Sequence, residues 1–261
     1  MRAVAVHRDA LVVTSRLWQT TATALRSGDE ALLVDSPYFP DELEVLPELL
    51  RLAGFETSAL VATHADFDHV MGRLAFPGLA LGVGQTTADR LRADPGAAQR
   101  DLRDTDDENY VVRPRPLSLG AVQELPAPGY VELGDQELEL HPAEGHTPDG
   151  VALFAREPGV LVCGDYLSDV ELPTLNPGAS LDAYRATLAR LAPLVEAAEA
   201  VVPGHGSPHD RGTALRILDE DVAYLDALER GEERPKLPEG RDSGRQRDLH
   251  AENLAAVDGS T

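Results

Sequence analysis

Four side chains of the kinds that bind metal ions lie within six residues of one another. They are His64, Asp66, Asp68 and His69. Imidazole nitrogens and carboxylate oxygens suit zinc, iron and manganese. Neighbouring carboxylates repel each other unless a cation neutralises them, so this cluster indicates a bound metal ion.

Three further candidates follow along the chain, each directly after a glycine: His146, Asp165 and His205. Turns that contain glycine let the backbone approach a metal closely, and strand ends hold side chains rigidly. A single histidine beside a glycine carries little information, but four such segments in order are a specific pattern. Together with the first cluster they predict a two-metal hydrolytic site.

Short apolar runs that precede three of these segments predict the strands that position them. Residues 59–62 lead to His64, residues 160–163 to Asp165, and residues 200–202 to His205. Apolar residues at helical spacing predict helices at residues 41–52, 181–191 and 215–228, and Pro193 is expected to end the second. The chain is therefore expected to alternate strands and helices.

Two segments depart from this pattern. Residues 94–116 are acidic with little apolar periodicity, which predicts an insertion or mobile loop that could cap the site. Beyond residue 230 the sequence is polar and contains several prolines and glycines. We therefore expect one domain over residues 1–230 and a loosely docked or disordered tail over 231–261.

Composition limits the classes of partner. The formal net charge of -22 repels phosphate backbones, which argues against nucleic acid, and no apolar run is long enough to cross a membrane. The single cysteine, Cys163, excludes a disulfide within the chain and fits a reducing compartment. With no secretory signal at its start, the expected location is the cytoplasm. The expected partner is a small-molecule substrate, and the oligomeric state stays open.

The ordered pattern resembles the metallo-β-lactamase fold superfamily over about residues 20–228. The leading motif of that family reads His-x-His-x-Asp-His and is followed by a lone His, a lone Asp and a last His. Those positions hold His64, Asp66, Asp68, His69, His146, Asp165 and His205. The resemblance implies an α/β fold, an αββα sandwich of two mixed sheets flanked by helices, with the metals at one edge between the sheets.

The resemblance also implies a role for each position. The first ion would be bound by His64, Asp66 and His146, and the second by Asp68, His69 and His205, as the family motif assigns them. Asp165 would bridge the two ions. A hydroxide held between two cations is a strong nucleophile at neutral pH and would attack a carbonyl or phosphoryl centre. Asp68 is also the predicted catalytic residue, because it could orient the nucleophile or shuttle its proton.

Asp66 departs from the family motif, where most members have histidine. Two divalent ions are expected, with zinc as the first choice. The added oxygen donor of Asp66 favours the harder ions iron or manganese, as in flavodiiron proteins with glutamate at this position. The alternatives are that Asp66 is a tolerated zinc ligand, or that it points away and leaves a weaker first site.

The predicted activity is hydrolysis of a small ester, lactone or thioester, and Asp165 argues against a true β-lactamase. A glutathione thioesterase would need basic groups, and Arg241, Arg245 and Arg247 could serve. Because Lys236 is the only lysine and the tail is expected to be loose, a neutral ester or lactone is favoured. Tyr166 is a predicted substrate-binding residue because it directly follows Asp165. The alternatives are a persulfide dioxygenase with a single iron and a non-catalytic metal-binding protein.

Overall fold

Two β-sheets face each other in the computed structural model, which describes residues 1–258. Helices cover the outer face of each sheet. This arrangement confirms the predicted αββα sandwich. Within the described residues, no helix combines the length and the apolar character that crossing a membrane requires.

The first sheet has seven strands in sequence order. They are β1 (Arg2–His7), β2 (Ala10–Thr14), β3 (Thr21–Ser27), β4 (Glu30–Asp35), β5 (Thr57–Ala62), β6 (Leu81–Gly84) and β7 (Val122–Leu125). The strands β1 to β4 pair antiparallel, and β4 to β7 pair parallel. The sheet is therefore mixed.

The second sheet has six strands and is also mixed. They are β8 (Gly129–Leu133), β9 (Gln136–Pro142), β10 (Val151–Ala155), β11 (Val160–Val162), β12 (Ala200–Val202) and β13 (His209–Asp210). Only β11 and β12 pair parallel, and the other neighbours pair antiparallel. A parallel pair needs a long crossover connection, and the chain between β11 and β12 contains a helix.

Seven helices complete the described chain. They are α1 (Pro40–Leu52), α2 (Gly72–Ala75), α3 (Gln85–Ala93), α4 (Ala97–Glu108), α5 (Leu181–Ala197), α6 (Arg211–Glu229) and α7 (Gly244–Asp258). The helix predicted to stop at Pro193 continues to Ala197. Leu194 and Val195 follow the proline and are buried against the second sheet, and this packing outweighs the missing backbone donor.

Strand alternation builds the three layers of the core. On β4, Leu32 and Val34 face the second sheet, whereas Leu33 faces the helices. On β10, Leu153 faces the first sheet and Phe154 packs against α5 and α6. Because successive side chains of a strand point to opposite faces, each sheet contributes to two apolar layers.

The acidic segment predicted as an insertion or mobile loop at 94–116 contains helix α4. Its buried face is Ala98, Leu102 and Thr105, spaced by four and three residues. Only Leu102 is large and apolar, so a hydropathy pattern does not show the helix. Asp106 completes the face: it accepts a hydrogen bond from the Tyr38 hydroxyl.

The tail predicted to be loosely docked or disordered at 231–261 instead packs against the body of the protein across its described residues. Gln246, His250 and Asn253 of α7 are buried. The Gln246 and Asn253 side chains accept hydrogen bonds from the backbone N–H groups of Leu172 and Leu175, respectively. Its last three residues, 259–261, lie outside the described part of the chain.

Candidate metal centre

The candidate donors stand at the ends of strands along one edge of the sandwich. His64 follows β5 in the first sheet, and His146, Asp165 and His205 follow β9, β11 and β12 in the second. The backbone N–H of Thr21 in the first sheet donates to the carbonyl of Gly204, in the loop that follows β12 of the second, at 2.7 Å. The two sheets are thus joined where the donors meet.

A first group of donors consists of His64, Asp66 and His146. Their candidate ligand atoms all lie within 4.8 Å of one another. Oδ2 of Asp66 is 3.6 Å from Nε2 of His64 and 3.8 Å from Nε2 of His146. This is the set that the family motif assigns to the first ion.

A second group consists of Asp68, His69 and His205, again within 4.8 Å of one another. Oδ2 of Asp68 is 3.6 Å from Nε2 of His69 and 3.3 Å from Nε2 of His205. All three residues are buried. The structure therefore brings together both predicted sets.

The carboxylate of Asp165 lies between the groups. Its oxygens are 3.2 Å from Nε2 of His146 and 3.7 Å from Nε2 of His64 in the first group. They are 3.1 Å from Nε2 of His69 and 3.4 Å from Nε2 of His205 in the second. One carboxylate thus contacts four imidazoles, as a bridging ligand would.

Gly204 makes room for this carboxylate. A Cβ atom at that position would lie 2.1 Å from Oδ1 of Asp165 and 2.9 Å from the ring of His69. Any side chain there would displace the central carboxylate. The glycine before His205 is therefore part of the site.

Within the described part of the chain, three buried polar atoms at the centre form no well-aligned hydrogen bond despite their short contacts: Nε2 of His64, Nε2 of His69 and Oδ1 of Asp165. An unsatisfied buried donor or acceptor costs about 1–3 kcal/mol. Metal ions coordinated by these atoms would satisfy all three. The donor set of nitrogens and carboxylate oxygens thus fits transition-metal ions.

The remaining ring nitrogens of two histidines have fixed partners. Nδ1 of His146 donates to the carbonyl of Thr174 at 3.0 Å, and Nδ1 of His205 donates to the carbonyl of Trp18 at 3.2 Å. Such bonds select the tautomer that leaves Nε2 free to bind a metal.

Asp35 is the corresponding partner of Nδ1 of His69, and the sequence pattern does not single it out. Its Oδ2 is 3.0 Å from Nδ1 of His69, and its two oxygens also accept from the backbone and hydroxyl of Thr63. Asp35 ends β4, beside the strand that delivers His64. An aspartate at the carboxyl end of a neighbouring parallel strand is the signal that could have found it.

The pKa values of His146 and Asp66 are shifted in the directions expected for a site that attracts positive charge. Burial lowers the pKa of His146, but hydrogen bonds with Asp165 and Asp66 outweigh that effect and raise it to about 10. Burial raises the pKa of Asp66, yet hydrogen bonds with His146 and His64 hold it well below its usual range. A proton on His146 thus balances part of the carboxylate charge, and divalent cations would supply positive charge on displacing it.

Tyr166 has a different role from the predicted substrate contact. Its hydroxyl donates to the carbonyl of Ala143 and accepts from the backbone N–H of His146, both at 3.1 Å. The side chain is 3% exposed, and burial raises the pKa of its hydroxyl. Tyr166 is therefore a structural residue that holds the His146 turn.

A cleft of about 810 Å³ opens over the two groups. Its walls are the segment carrying α3 and α4 on one side and α7 on the other, and they include Trp18, Phe67, Arg90, Asn176, Arg245 and Leu249. Of the three tail arginines that could serve an anionic substrate, Arg245 alone lines this cleft. Arg241 is 1% exposed and pairs with Asp221 and Glu220, so it cannot reach a ligand.

Comparisons with known proteins agree with this geometry. A family model described as the metallo-beta-lactamase superfamily matches residues 15–205. Acyl-coenzyme A thioesterase MBLAC2 of Gallus gallus is 29% identical over 203 residues, which cover 69% of this chain and 70% of that protein. The Homo sapiens protein of the same name is 28% identical over 220 residues, which cover 76% and 77%.

Solved structures share the fold. A metallo-beta-lactamase family protein from Thermus thermophilus superposes with a TM-score of 0.70 at 18% identity and covers 98% of this chain and 94% of that one. A protein named TTHA1623, solved in a di-iron-bound form, has a TM-score of 0.61 at 25% identity and covers 79% and 97%.

Proposed function

This chain belongs to the metallo-beta-lactamase superfamily and is a metal-dependent hydrolase, and we propose that it cleaves thioesters at a two-metal centre. The observation that carries the proposal is the position of Asp165 between two complete donor groups. The thioester bond is favoured by the relatives in Gallus gallus and Homo sapiens, which are named acyl-coenzyme A thioesterases. These relatives outweigh the preference for a neutral ester or lactone that the scarcity of lysine suggests.

The first ion is assigned to His64, Asp66 and His146, the second to Asp68, His69 and His205, and Asp165 to both. Two bound divalent ions would lower the pKa of a shared water, supplying the predicted hydroxide nucleophile, and would polarise the substrate carbonyl. Zinc is the first choice of metal. Iron is the alternative, supported by the oxygen donor of Asp66 and by the di-iron form of a solved relative.

Asp68 orients the attacking water in this proposal. Burial raises the pKa of its carboxyl, but charged His69 and a hydrogen bond with His205 outweigh that effect and lower it. A carboxylate with a lowered pKa stays ionised and accepts a hydrogen bond from water. Asp68 would therefore accept a hydrogen bond from the metal-activated water and receive the proton that the water loses as the hydroxide forms.

The leaving group provides a second argument for a thioester. The described residues that line the cleft include no lysine, tyrosine or cysteine, so protonation of a departing oxygen would depend on carboxyl groups such as Asp68. A thiolate does not need that proton, because a thiol has a pKa of about 8.5 and an alcohol is far less acidic. A thioester therefore demands less of these carboxyl groups than an oxygen ester does.

Neither alternative function gains support from the geometry. A dioxygenase with a single iron needs only one donor group, whereas both groups are assembled here. A non-catalytic protein with a weakened first site is disfavoured because Asp66 lies beside His64 and His146, which makes the first donor group complete.

We expect acyl-coenzyme A to be hydrolysed with a kcat/KM at least about tenfold above that of an oxygen ester with the same acyl group, a difference of about 1.4 kcal/mol. The measurement is a steady-state panel of acyl-coenzyme A, acyl N-acetylcysteamine, oxygen ester and lactone. The N-acetylcysteamine thioester is the control that separates recognition of the thioester from recognition of coenzyme A. Chelator should abolish the activity, and added metal should restore it.

Two outcomes would contradict the proposal. Faster hydrolysis of the oxygen ester or lactone would remove the thioester assignment while leaving a hydrolase. No hydrolysis of any of these substrates by protein with two bound metals would contradict the thioester activity itself.

A further inference from the structure

Asp66 uses its two carboxylate oxygens for different partners. Oδ2 faces the imidazoles of His64 and His146, and it also accepts a hydrogen bond from Nδ2 of Asn176 at 3.0 Å. Oδ1 points to Nη2 of Arg90 at 2.7 Å. One oxygen is thus presented to the first donor group, and the other is bound by an arginine.

Arg90 is itself held by a second carboxylate. Its Nη1 donates to Oδ1 of Asp149 at 2.7 Å, and Oδ2 of Asp149 accepts from the backbone N–H of Ala65 at 2.9 Å. Asp149 is 1% exposed. Because Ala65 directly precedes Asp66, these contacts form a closed ring. The ring joins α3 to the loop after β5 that carries the first four donors.

The guanidinium geometry suits this ring. It is planar, always charged and carries donors in a rigid fork, so two amino groups can bind two carboxylates at once. The Asp66 side chain is 20% exposed, so without Arg90 it could turn its carboxylate toward solvent. The site would also keep an extra negative charge where most of the family has a neutral imidazole.

We propose that Arg90 is a positioning residue that fixes Asp66 as a donor of one oxygen and compensates the charge that aspartate adds to the first group. Arg90 thereby lets an aspartate stand where the family motif has histidine. The proposal rests on the two-metal centre proposed above and is independent of the thioester substrate.

The test is a zinc-binding titration against a chromophoric chelator, with wild type and Arg90→Met. Loss of a residue that orients a metal ligand typically weakens metal binding about 10–100-fold. We expect that loss for one of the two ions, with the affinity for the other unchanged. The zinc affinity of Arg90→Lys should lie between those of wild type and Arg90→Met, because the point charge of a lysine cannot bind both carboxylates.

Arg92→Met is the matched control on the same helix. Arg92 is 54% exposed and pairs with Asp89 and Glu124, away from the donors. Both zinc affinities should match wild type. Thermal unfolding of each variant shows whether it is folded.

An Asp66→His background separates positioning from general support of the fold. Histidine needs no neutralising partner, so Arg90→Met in that background should change zinc affinity by less than about twofold. An equal loss in both backgrounds would overturn the proposal, because Arg90 would then act only through Asp149. Unchanged zinc binding in Arg90→Met itself would also overturn it. Wild type that binds fewer than two ions would contradict the metal centre rather than this role.

Discussion

Replacing Asp165 by alanine is expected to release both metal ions and to lower kcat/KM for the thioester by about 10³-fold or more. The carboxylate contacts an imidazole of each donor group, so its loss weakens both sites at once. Metal ions stabilise the transition state of such reactions by several kcal/mol, and each 1.36 kcal/mol is tenfold in rate. Metal content after dialysis and steady-state kinetics measure the two effects.

Cys163→Ala is the matched control at the end of the same strand. Its Sγ donates to the backbone carbonyls of Val202 and Tyr166, and the side chain is fully buried in the core. Burial raises the pKa of this thiol, which keeps it protonated and unsuited to binding a metal. The control should keep both ions. Wild-type metal content in Asp165→Ala would contradict the bridging role.

Arg241→Met is expected to lower the free energy of unfolding by about 3–5 kcal/mol at pH 8. The substitution leaves Asp221 as a buried carboxylate with no cation, since both side chains are almost fully buried in the ion pair. The segment before α7 would lose the contact that holds it to α6. Urea denaturation measures the difference.

The loss of unfolding free energy in Arg241→Met should become smaller at lower pH. Burial raises the pKa of Asp221 to about 6 despite the ion pair, so the folded state binds the additional proton between about pH 4 and 6. The stability contributed by this group therefore falls as the pH rises through that window. Without Arg241 the pKa rises further, so the loss extends to higher pH. At pH 5 Asp221 is protonated in both proteins, and the two stabilities should converge.

Arg245→Met is the control for this prediction, because that side chain is 60% exposed and its ion pair with Glu171 is 3.6 Å long. Exposed substitutions of this kind usually change stability by less than about 0.5 kcal/mol. A deficit in Arg241→Met that stays constant from pH 5 to pH 8 would contradict the role given to Asp221.

The donor residues could be predicted from the sequence because four of them lie within six residues after β5 and the other three each follow a glycine. The residues that orient them could not. Asp35, Arg90 and Asp149 come from separate elements, and only the folded chain brings them to His69 and Asp66. Aspartate and arginine are common surface residues, so apart from the position of Asp35 at the end of β4 no local signal distinguishes them.

Helices α4 and α7 escape prediction for a related reason. Amphipathic helices are recognised by a stripe of large apolar residues, and α4 has only Leu102 in its buried stripe. The buried face of α7 includes Gln246, His250 and Asn253, whose side chains form hydrogen bonds in the interior. Polar residues that become buried look like exposed residues in a sequence.

Asp66 is the predicted donor whose role the sequence leaves open. The structure places its carboxylate beside His64 and His146, which argues against the alternative that it points away. The role proposed for Arg90 accounts for the added negative charge at this position. Part of the charge that would favour a harder metal ion is balanced by the arginine, so zinc stays compatible with the site.

The most direct test of the two-metal thioesterase is a titration of metal-depleted protein with zinc, in which bound metal and acyl-coenzyme A hydrolysis are measured together. The rate should keep rising until two ions are bound per chain and then level off, since each ion contributes to the attack. A rate that levels off at one bound ion, or no hydrolysis with two ions bound, would contradict it.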